Sequence, residues 1–182
     1  AYMGALGAAL GTMVANLSAH KPGWDDRWDE FSNWADKGVE LEAELLHLVD
    51  EDTEAFNRIM AAFGMPKNTD EDKRLRSEAI QSATLFAAQV PLETMKASSK
   101  AFEICRAMAE TGNPNSVSDA GVGALAARAA VLGAGLNVKI NASSLKDKAA
   151  AGALVAEAEQ LMAEADKAER EIMEIVERKI NE

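Results

Sequence analysis

The run from Ala1 to Ala19 contains no charged side chain. Glycine recurs in it at Gly4, Gly7 and Gly11, and these spacings of three and four residues place the glycines on one face of a helix. Such a face lets the backbone of another helix approach closely. The run approaches the length of a membrane span, but it has few large aliphatic residues and no basic cluster to fix an orientation. We therefore predict a helix buried on all sides within a helical protein.

The rest of the chain shows helical periodicity and no strand pattern. Apolar spacing and capping signals predict further helices over 24–63, 70–89, 91–111, 119–141 and 145–180. In the last of these, a four-three alternation from Leu154 to Ile175 predicts a seam for one neighbouring helix. We predict an all-α fold with one domain over residues 1–182. It is a bundle of five to seven helices with a Gly/Ala-rich central helix and a long C-terminal helix.

The amino-acid composition argues against several classes of function. The 182 residues are 48% hydrophobic, which is enough for a substantial core, and the net charge is −11. Such an acidic surface argues against binding nucleic acid or an anionic membrane. One cysteine, Cys105, indicates a reducing, cytoplasmic compartment. Apart from Cys105 the chain has only two histidines, which excludes a zinc site of His and Cys ligands. We predict no metal, although a metal site built of carboxylates stays formally open.

Asp52 interrupts an apolar stripe. The stripe runs through Leu41, Leu45, Leu48, Phe56, Ile59 and Phe63. Helical spacing places Asp52 on the same face, where an ionised carboxylate is costly unless it is paired or its pKa is raised. A raised pKa suits a general acid or base near neutral pH. The alternative is a structural carboxylate that pairs with a core arginine or caps a neighbouring helix.

Three more candidates lie at helix ends or in a loop. Ser118 and Asp119 stand at a predicted helix start, where they either cap the helix or form the wall of a pocket for a polar ligand. Lys67 lies in a loop between helices. It either faces water or supplies local positive charge for an anionic ligand.

Two further candidates lie within the predicted helix over 119–141. Arg128 is the only charged residue between Ala120 and Val138, so it either pairs with an internal carboxylate such as Asp52 or holds an anionic substrate. Asn137 and Asn141, one turn apart, are either polar links between helices or ligand contacts.

Three blocks together resemble the cyclodeaminase/cyclohydrolase family of folate enzymes. They are the glycine-rich run over 4–17, the Leu-Val-Asp-Glu-Asp-Thr-Glu-Ala-Phe segment over 48–56 with Pro-Lys-Asn-Thr over 66–69, and Ser-Asp-Ala-Gly-Val over 118–122 with Leu-Asn-Val-Lys-Ile-Asn over 136–141. They occur in the family's order across nearly the whole chain. The family usually has a glycine-rich turn before the first helix. This sequence starts after that turn, which is consistent with a larger bifunctional chain that carries a fused formiminotransferase domain.

The resemblance implies an all-helical homodimer, or a larger oligomer, with tetrahydrofolate bound in a cleft. The family's catalytic carboxylate falls on Asp52. The implied reaction is that of a lyase in histidine catabolism, which converts 5-formiminotetrahydrofolate to 5,10-methenyltetrahydrofolate and releases ammonia. Asp52 would then accept and donate the protons, and Asp119 and Asn137 would orient the substrate.

The resemblance extends to the rest of the substrate, a folate that can be polyglutamylated. Ser118 also matches a family position, while Lys67 and Arg128 would meet the glutamate tail. No cofactor beyond tetrahydrofolate is implied. Two alternatives remain: hydrolysis of the methenyl bridge to 10-formyltetrahydrofolate by a methenyltetrahydrofolate cyclohydrolase, and a non-catalytic helical interaction protein.

Overall fold

A computed structural model describes all of residues 1–182. The five α-helices are α1 (Tyr2–Ala19), α2 (Trp28–Gly64), α3 (Asp70–Thr111), α4 (Val117–Ser143) and α5 (Lys148–Asn181). Two short 3-10 turns, Asp25–Arg27 and Pro114–Ser116, precede α2 and α4, and there is no strand. The predicted all-α bundle with a long C-terminal helix is confirmed.

The central helix is α4, which packs against α1, α3 and α5. Its buried face is built mainly of alanine and glycine, including Gly123, Ala127 and Ala134, so its neighbours approach closely. By length and composition alone, the stretch Pro114–Ser143 could cross a membrane. However, 56% of its apolar window is buried between the other helices, as in the core helix of a bundle.

Helix α1 departs from the prediction of burial on all sides. Its glycine face is buried as expected, and a Cβ added at Gly7 would lie 2.8 Å from the carbonyl oxygen of Gly123 on α4. The opposite face is exposed, and it carries the large residues Tyr2, Leu6 and Leu17. The small residues face inward because the helix axes lie too close together for larger side chains between them.

Helix α3 continues through Pro91, where we predicted a new helix to begin. Proline has no N–H, so the carbonyl of Ala87 loses its helical donor. The side chain of Asn141 on α4 replaces it, with Nδ2 2.7 Å from the oxygen of Ala87. Of the roles left open for Asn141, the structure thus shows the link between helices.

The remaining helix starts and contacts are explained by side chains that lie nearby. Helix α2 is not interrupted at Gly38, which packs against Thr12 of α1. Helix α3 starts with a capping box in which Thr69 and Asp72 bond each other's backbone N–H groups. Helix α4 starts at Val117, before the predicted Asp119, and Ser116 caps it without a side-chain hydrogen bond. The seam of α5 packs on α3 as well as α4, rather than on one helix.

Candidate active site

A cleft of about 440 Å³ opens between the start of α1, the middle of α2, α3 near Pro91, and α4. Its polar side chains come from Tyr2, Asp52, Thr53, Thr94 and Asn137. Alanine and glycine of α4 form much of its wall. The cleft therefore exists where α4 presents side chains too small to fill the space that faces α2.

Asp52 is the only acidic side chain that lines the cleft. It is exposed, not buried as predicted, and it makes no hydrogen bond or ion pair with another residue. Asp52 lies opposite the start of α1, since Ala1 and Tyr2 line the same cleft. Asp52 is thus an unpartnered carboxylate at the mouth of a cavity.

The position of Asp52 in α2 explains why we placed it on the apolar face and why it is nevertheless exposed. Buried positions on α2 include Leu48, Ala55 and Ala62, and Asp52 falls in the same four-three alternation. The seam opens at Asp52 because the cleft lies there. Beyond it, the seam continues through Ala55, Ile59 and Ala62. Ile59 packs on this face as predicted, whereas Phe56 and Phe63, which we also placed on the apolar face, are 61% and 52% exposed.

Asn137 is the one other predicted site residue in the cleft. It lies on the same face of α4 as Ala130, Gly133 and Ala134, one or two turns along the helix. Its Nδ2 is 3.5 Å from the carbonyl oxygen of Gly133, at the outer limit of a hydrogen bond. The amide is therefore available to a ligand, and the structure brings Asn137 and Asp52 together.

The structure does not bring Ser118 and Asp119 to this cleft. They lie in the first turn of α4, and Asp119 stands eighteen residues before Asn137, about 27 Å along the helix at 1.5 Å per residue. Within one chain, Asp119 and Asn137 therefore cannot orient the same small group, contrary to the prediction that they act together.

Arg128 does not pair with Asp52. Its Nε lies 2.6 Å from Oδ1 of Asp166 and 3.8 Å from Oε2 of Glu169, both on α5. The guanidinium thus ties α4 to α5 and does not line the cleft. The structure gives no support for its predicted contact with the glutamate tail.

Lys67 lies in the predicted loop, but it lines a different cavity. That cavity also has Lys73, Arg76 and Lys146 on its wall. Sequence reasoning missed Lys73 and Arg76, which lie one turn apart on α3, and Lys146, which lies in the loop before α5. It also missed Thr53 and Thr94 of the cleft, whose hydroxyls donate to carbonyls of their own helices. Thr94 lies one turn after Pro91 and could have been indicated by that spacing, whereas no pattern in the sequence indicates Thr53.

Cys105 is not a candidate nucleophile. Its Sγ is buried beside the carbonyl oxygen of Gly7, and burial raises the pKa of the thiol to about 12. A thiol with that pKa is protonated and unreactive near neutral pH.

Comparison with known proteins decides the family. The model of the formiminotransferase-cyclodeaminase family matches residues 1–177. The chain belongs to this family. Its members interconvert folates, as cyclohydrolases or cyclodeaminases. The resemblance carried by the three sequence blocks is therefore confirmed.

Individual members of the formiminotransferase-cyclodeaminase family differ in activity. The chain is 39% identical to the methenyltetrahydrofolate cyclohydrolase of Methylorubrum extorquens, over 100% of this chain and 87% of that protein. It is 33% identical to the rat formimidoyltransferase-cyclodeaminase, over 81% of this chain but only 27% of the rat protein. The crystal structure of formiminotetrahydrofolate cyclodeaminase from Thermotoga maritima matches with a TM-score of 0.83 and 26% identity, over 98% of this chain and 85% of that chain.

Proposed function

We propose that the chain is a methenyltetrahydrofolate cyclohydrolase, which hydrolyses the methenyl bridge of 5,10-methenyltetrahydrofolate to give 10-formyltetrahydrofolate. This reverses the order of the two activities in the sequence analysis. The observation that carries the proposal is the carboxylate of Asp52, which has no partner and lines a cleft. The match to a methenyltetrahydrofolate cyclohydrolase over 100% of this chain supports the choice of reaction.

Hydrolysis places simple demands on the site. Water adds to the bridge carbon between N5 and N10, and a base must take its proton. Asp52 would accept that proton as the C–O bond forms. The carboxylic acid would then protonate N5 as the bond between N5 and the bridge carbon breaks. The hydroxyl group formed from the water loses its own proton to solvent in the same step, which leaves a formyl group on N10 and releases the one proton that hydrolysis of the methenyl cation yields. No electron is transferred, so the reaction requires no redox cofactor.

Asn137 would assist by holding the folate in the cleft. Its amide has a donor and an acceptor free for the ring system, and the small side chains of Ala130 and Gly133 leave room for a flat ligand. Orientation of the bridge against the carboxylate would contribute to the rate by proximity. Asp119 and Arg128 are left out of this proposal because neither lines the cleft.

Cyclodeamination is the second candidate, since the chain shares the fold of the Thermotoga cyclodeaminase. In that reaction N10 attacks the formimino carbon and ammonia leaves. The same carboxylate would take the proton of N10 and give it to the departing amine. The two reactions pass through similar adducts at the same carbon, so one site geometry serves both.

An absorbance assay distinguishes the two reactions. Methenyltetrahydrofolate has a near-ultraviolet band, so a cyclohydrolase removes the band faster than the uncatalysed background. A cyclodeaminase makes the band appear from 5-formiminotetrahydrofolate and releases ammonia. We expect the first result at higher kcat/KM, and the reverse ranking would favour the second candidate.

The Asp52→Asn variant tests the proposed base. Loss of a general base lowers the rate by about 10²- to 10⁴-fold. Asp50→Asn is the matched control, because Asp50 is exposed on the same helix but does not line the cleft. Full activity in Asp52→Asn would exclude Asp52 as the base.

A further inference from the structure

Tyr2 is the one aromatic side chain among the thirteen residues that line the cleft of Asp52. It is 72% exposed, which is more than any other large apolar residue of the molecule. Its hydroxyl makes no hydrogen bond with another residue. The packing and hydrogen bonds of the bundle therefore give no reason for an aromatic ring at this position, and the ring is available to a ligand.

The backbone that carries this ring is held by close packing. Gly4, two residues further along α1, is buried against the side chain of Ser98 on α3. A Cβ added at Gly4 would lie 3.1 Å from Cδ2 of Leu45 on α2. The start of α1 thus lies against the two helices that also carry Asp52 and Pro91 of the cleft. A tyrosine has only two side-chain torsions to order, so a ring on such a backbone binds at a low cost in entropy.

The rest of the cleft wall offers a flat ligand no aromatic partner. Helix α4 contributes only small apolar residues and one amide: Ala129, Ala130, Gly133, Ala134 and Asn137. Sites for small ligands usually combine aromatic and other apolar side chains with a few polar groups that fix the orientation. Asp52 and Asn137 provide polar groups here, and Tyr2 alone provides the aromatic surface.

We propose that Tyr2 is a substrate-binding residue whose ring stacks on one of the two flat ring systems that flank the bridge carbon of the folate. This contact rests on the proposed function, which seats a folate in the cleft. Aromatic rings attract each other in offset-stacked or edge-to-face arrangements, beyond the gain from the area they bury. The contact would cover the most exposed apolar side chain of the molecule and leave the carboxylate of Asp52 free for proton transfer.

Substitutions at Tyr2 separate the ring from its hydroxyl. Stacking acts on the bound substrate and on the transition state alike, so its loss raises KM and leaves kcat nearly unchanged. For the folate that is turned over, we expect Tyr2→Ala and Tyr2→Leu to raise KM by about fivefold or more. Tyr2→Phe keeps the ring and should restore KM to within about twofold of the wild type.

Phe63→Ala is the matched control for these variants. Phe63 is 52% exposed near the end of α2 and does not line the cleft. Its loss removes an exposed aromatic ring from the surface but not from the proposed folate site. We expect its KM and kcat to match those of the wild type. An equal rise of KM in Phe63→Ala and Tyr2→Ala would show that the effect is not specific to the cleft, and it would overturn the proposal.

A spectroscopic measurement detects the contact without turnover. The sequence contains one tyrosine, so a chain labelled with 3-fluorotyrosine gives a single fluorine resonance in NMR, and that resonance reports on Tyr2. The probe is 5-formyltetrahydrofolate, which has both ring systems but no bridge to hydrolyse. We expect it to shift the resonance, because a bound ring would lie against the label. Free glutamate has no ring and should leave the resonance in place.

The labelled Asp52→Asn variant separates the two proposals. We expect the probe to shift its resonance as in the wild type, because the stacking does not use the carboxylate. If calorimetry shows that the probe binds while the resonance stays in place, or if Tyr2→Ala keeps the KM of the wild type, the stacking proposal is wrong. The turnover assay and its loss in Asp52→Asn would still support the proposed function.

Two further outcomes are decisive. A resonance that moves with protein concentration and not with the probe would place Tyr2 in a contact between two copies of the chain, and it would overturn the stacking proposal alone. A chain that neither binds the probe nor turns over either folate would overturn the proposed function and, with it, the role of Tyr2.

Discussion

At the scale of single residues, Asp52 combines a core-type position with solvent exposure. Its carboxylate makes no contact that folding depends on. We therefore expect Asp52→Asn to change the free energy of unfolding by less than about 0.5 kcal/mol, as surface substitutions do. Urea denaturation measures this. A loss above about 1 kcal/mol would indicate a structural carboxylate, as expected for a non-catalytic helical protein.

Part of the cleft could be predicted from sequence, whereas the other predicted site residues lie outside it. Asp52 and Asn137 were identified, and they lie in one cleft. Beyond Asp52, Ile59 packs on the buried side as predicted, but the large residues Phe56 and Phe63 do not, because the seam there includes Ala55 and Ala62. In a protein that packs through small residues, side-chain size does not indicate which face is buried.

A substitution at Gly7 measures how much this close packing contributes to the free energy of unfolding. A Cβ at this position would lie 2.8 Å from the carbonyl oxygen of Gly123 and 3.1 Å from the backbone nitrogen of Ala127, and neither atom can move without a shift of α4. We expect Gly7→Ala to lower the free energy of unfolding by about 2–3 kcal/mol, as overpacking does.

The matched control for Gly7→Ala is Gly152→Ala on α5. No atom lies within 4 Å of a Cβ at Gly152. The gain in helix propensity should therefore stabilise the protein by up to about 1 kcal/mol. Urea denaturation of the two variants compares them directly. Equal effects would contradict the close approach of α1 and α4.

At the scale of helices, α3 passes through Pro91 because α4 replaces the missing hydrogen bond. Removal of the Asn141 amide leaves the carbonyl of Ala87 without a partner, which costs about 1–3 kcal/mol when the group is buried. We expect a loss of that size for Asn141→Ala in urea denaturation. The sequence predicted a helix break at Pro91, since the compensating residue, Asn141, is fifty-four positions away from Ala87.

A double-mutant cycle isolates this contact. Pro91→Ala restores an N–H that can donate to Ala87. In that background Asn141→Ala should cost at least about 0.5 kcal/mol less than it does in the wild type, which is a measurable coupling. Additive effects would show that Asn141 stabilises the bundle by other contacts.

The part of the cleft wall that α4 provides can be tested by substitution. A Cβ at Gly133 meets no atom within 4 Å, because the position faces the open cleft. Gly133→Leu should leave stability within about 1 kcal/mol. It should lower kcat/KM by at least about tenfold, because the side chain occupies the space proposed for folate. Gly152→Leu is the control, and its kcat/KM should match that of the wild type.

At the scale of the whole molecule, two helices expose apolar faces beside the cleft. On α1 the exposed residues include Leu6 and Leu17, and on α4 they include Leu136 and Ile140, which are 65% and 66% exposed. Leu6 lies one turn from Tyr2 and Leu136 adjoins Asn137, so both faces begin at the cleft, and the face on α1 extends away from it to Leu17. Exposed apolar surface of this extent is typical of an interface.

The homodimer implied by the family resemblance provides an occupant for this surface. We propose that a second copy covers it, so that the cleft lies beside the interface. Leu6→Glu/Leu17→Glu places four charges in a dimer interface and should yield a monomer in size-exclusion chromatography with light scattering. Ile180→Glu, at an exposed apolar position near the end of α5, should leave the mass unchanged. A wild-type chain that is monomeric at high micromolar concentration would contradict the proposal. A dimer that survives the double substitution would place its interface elsewhere.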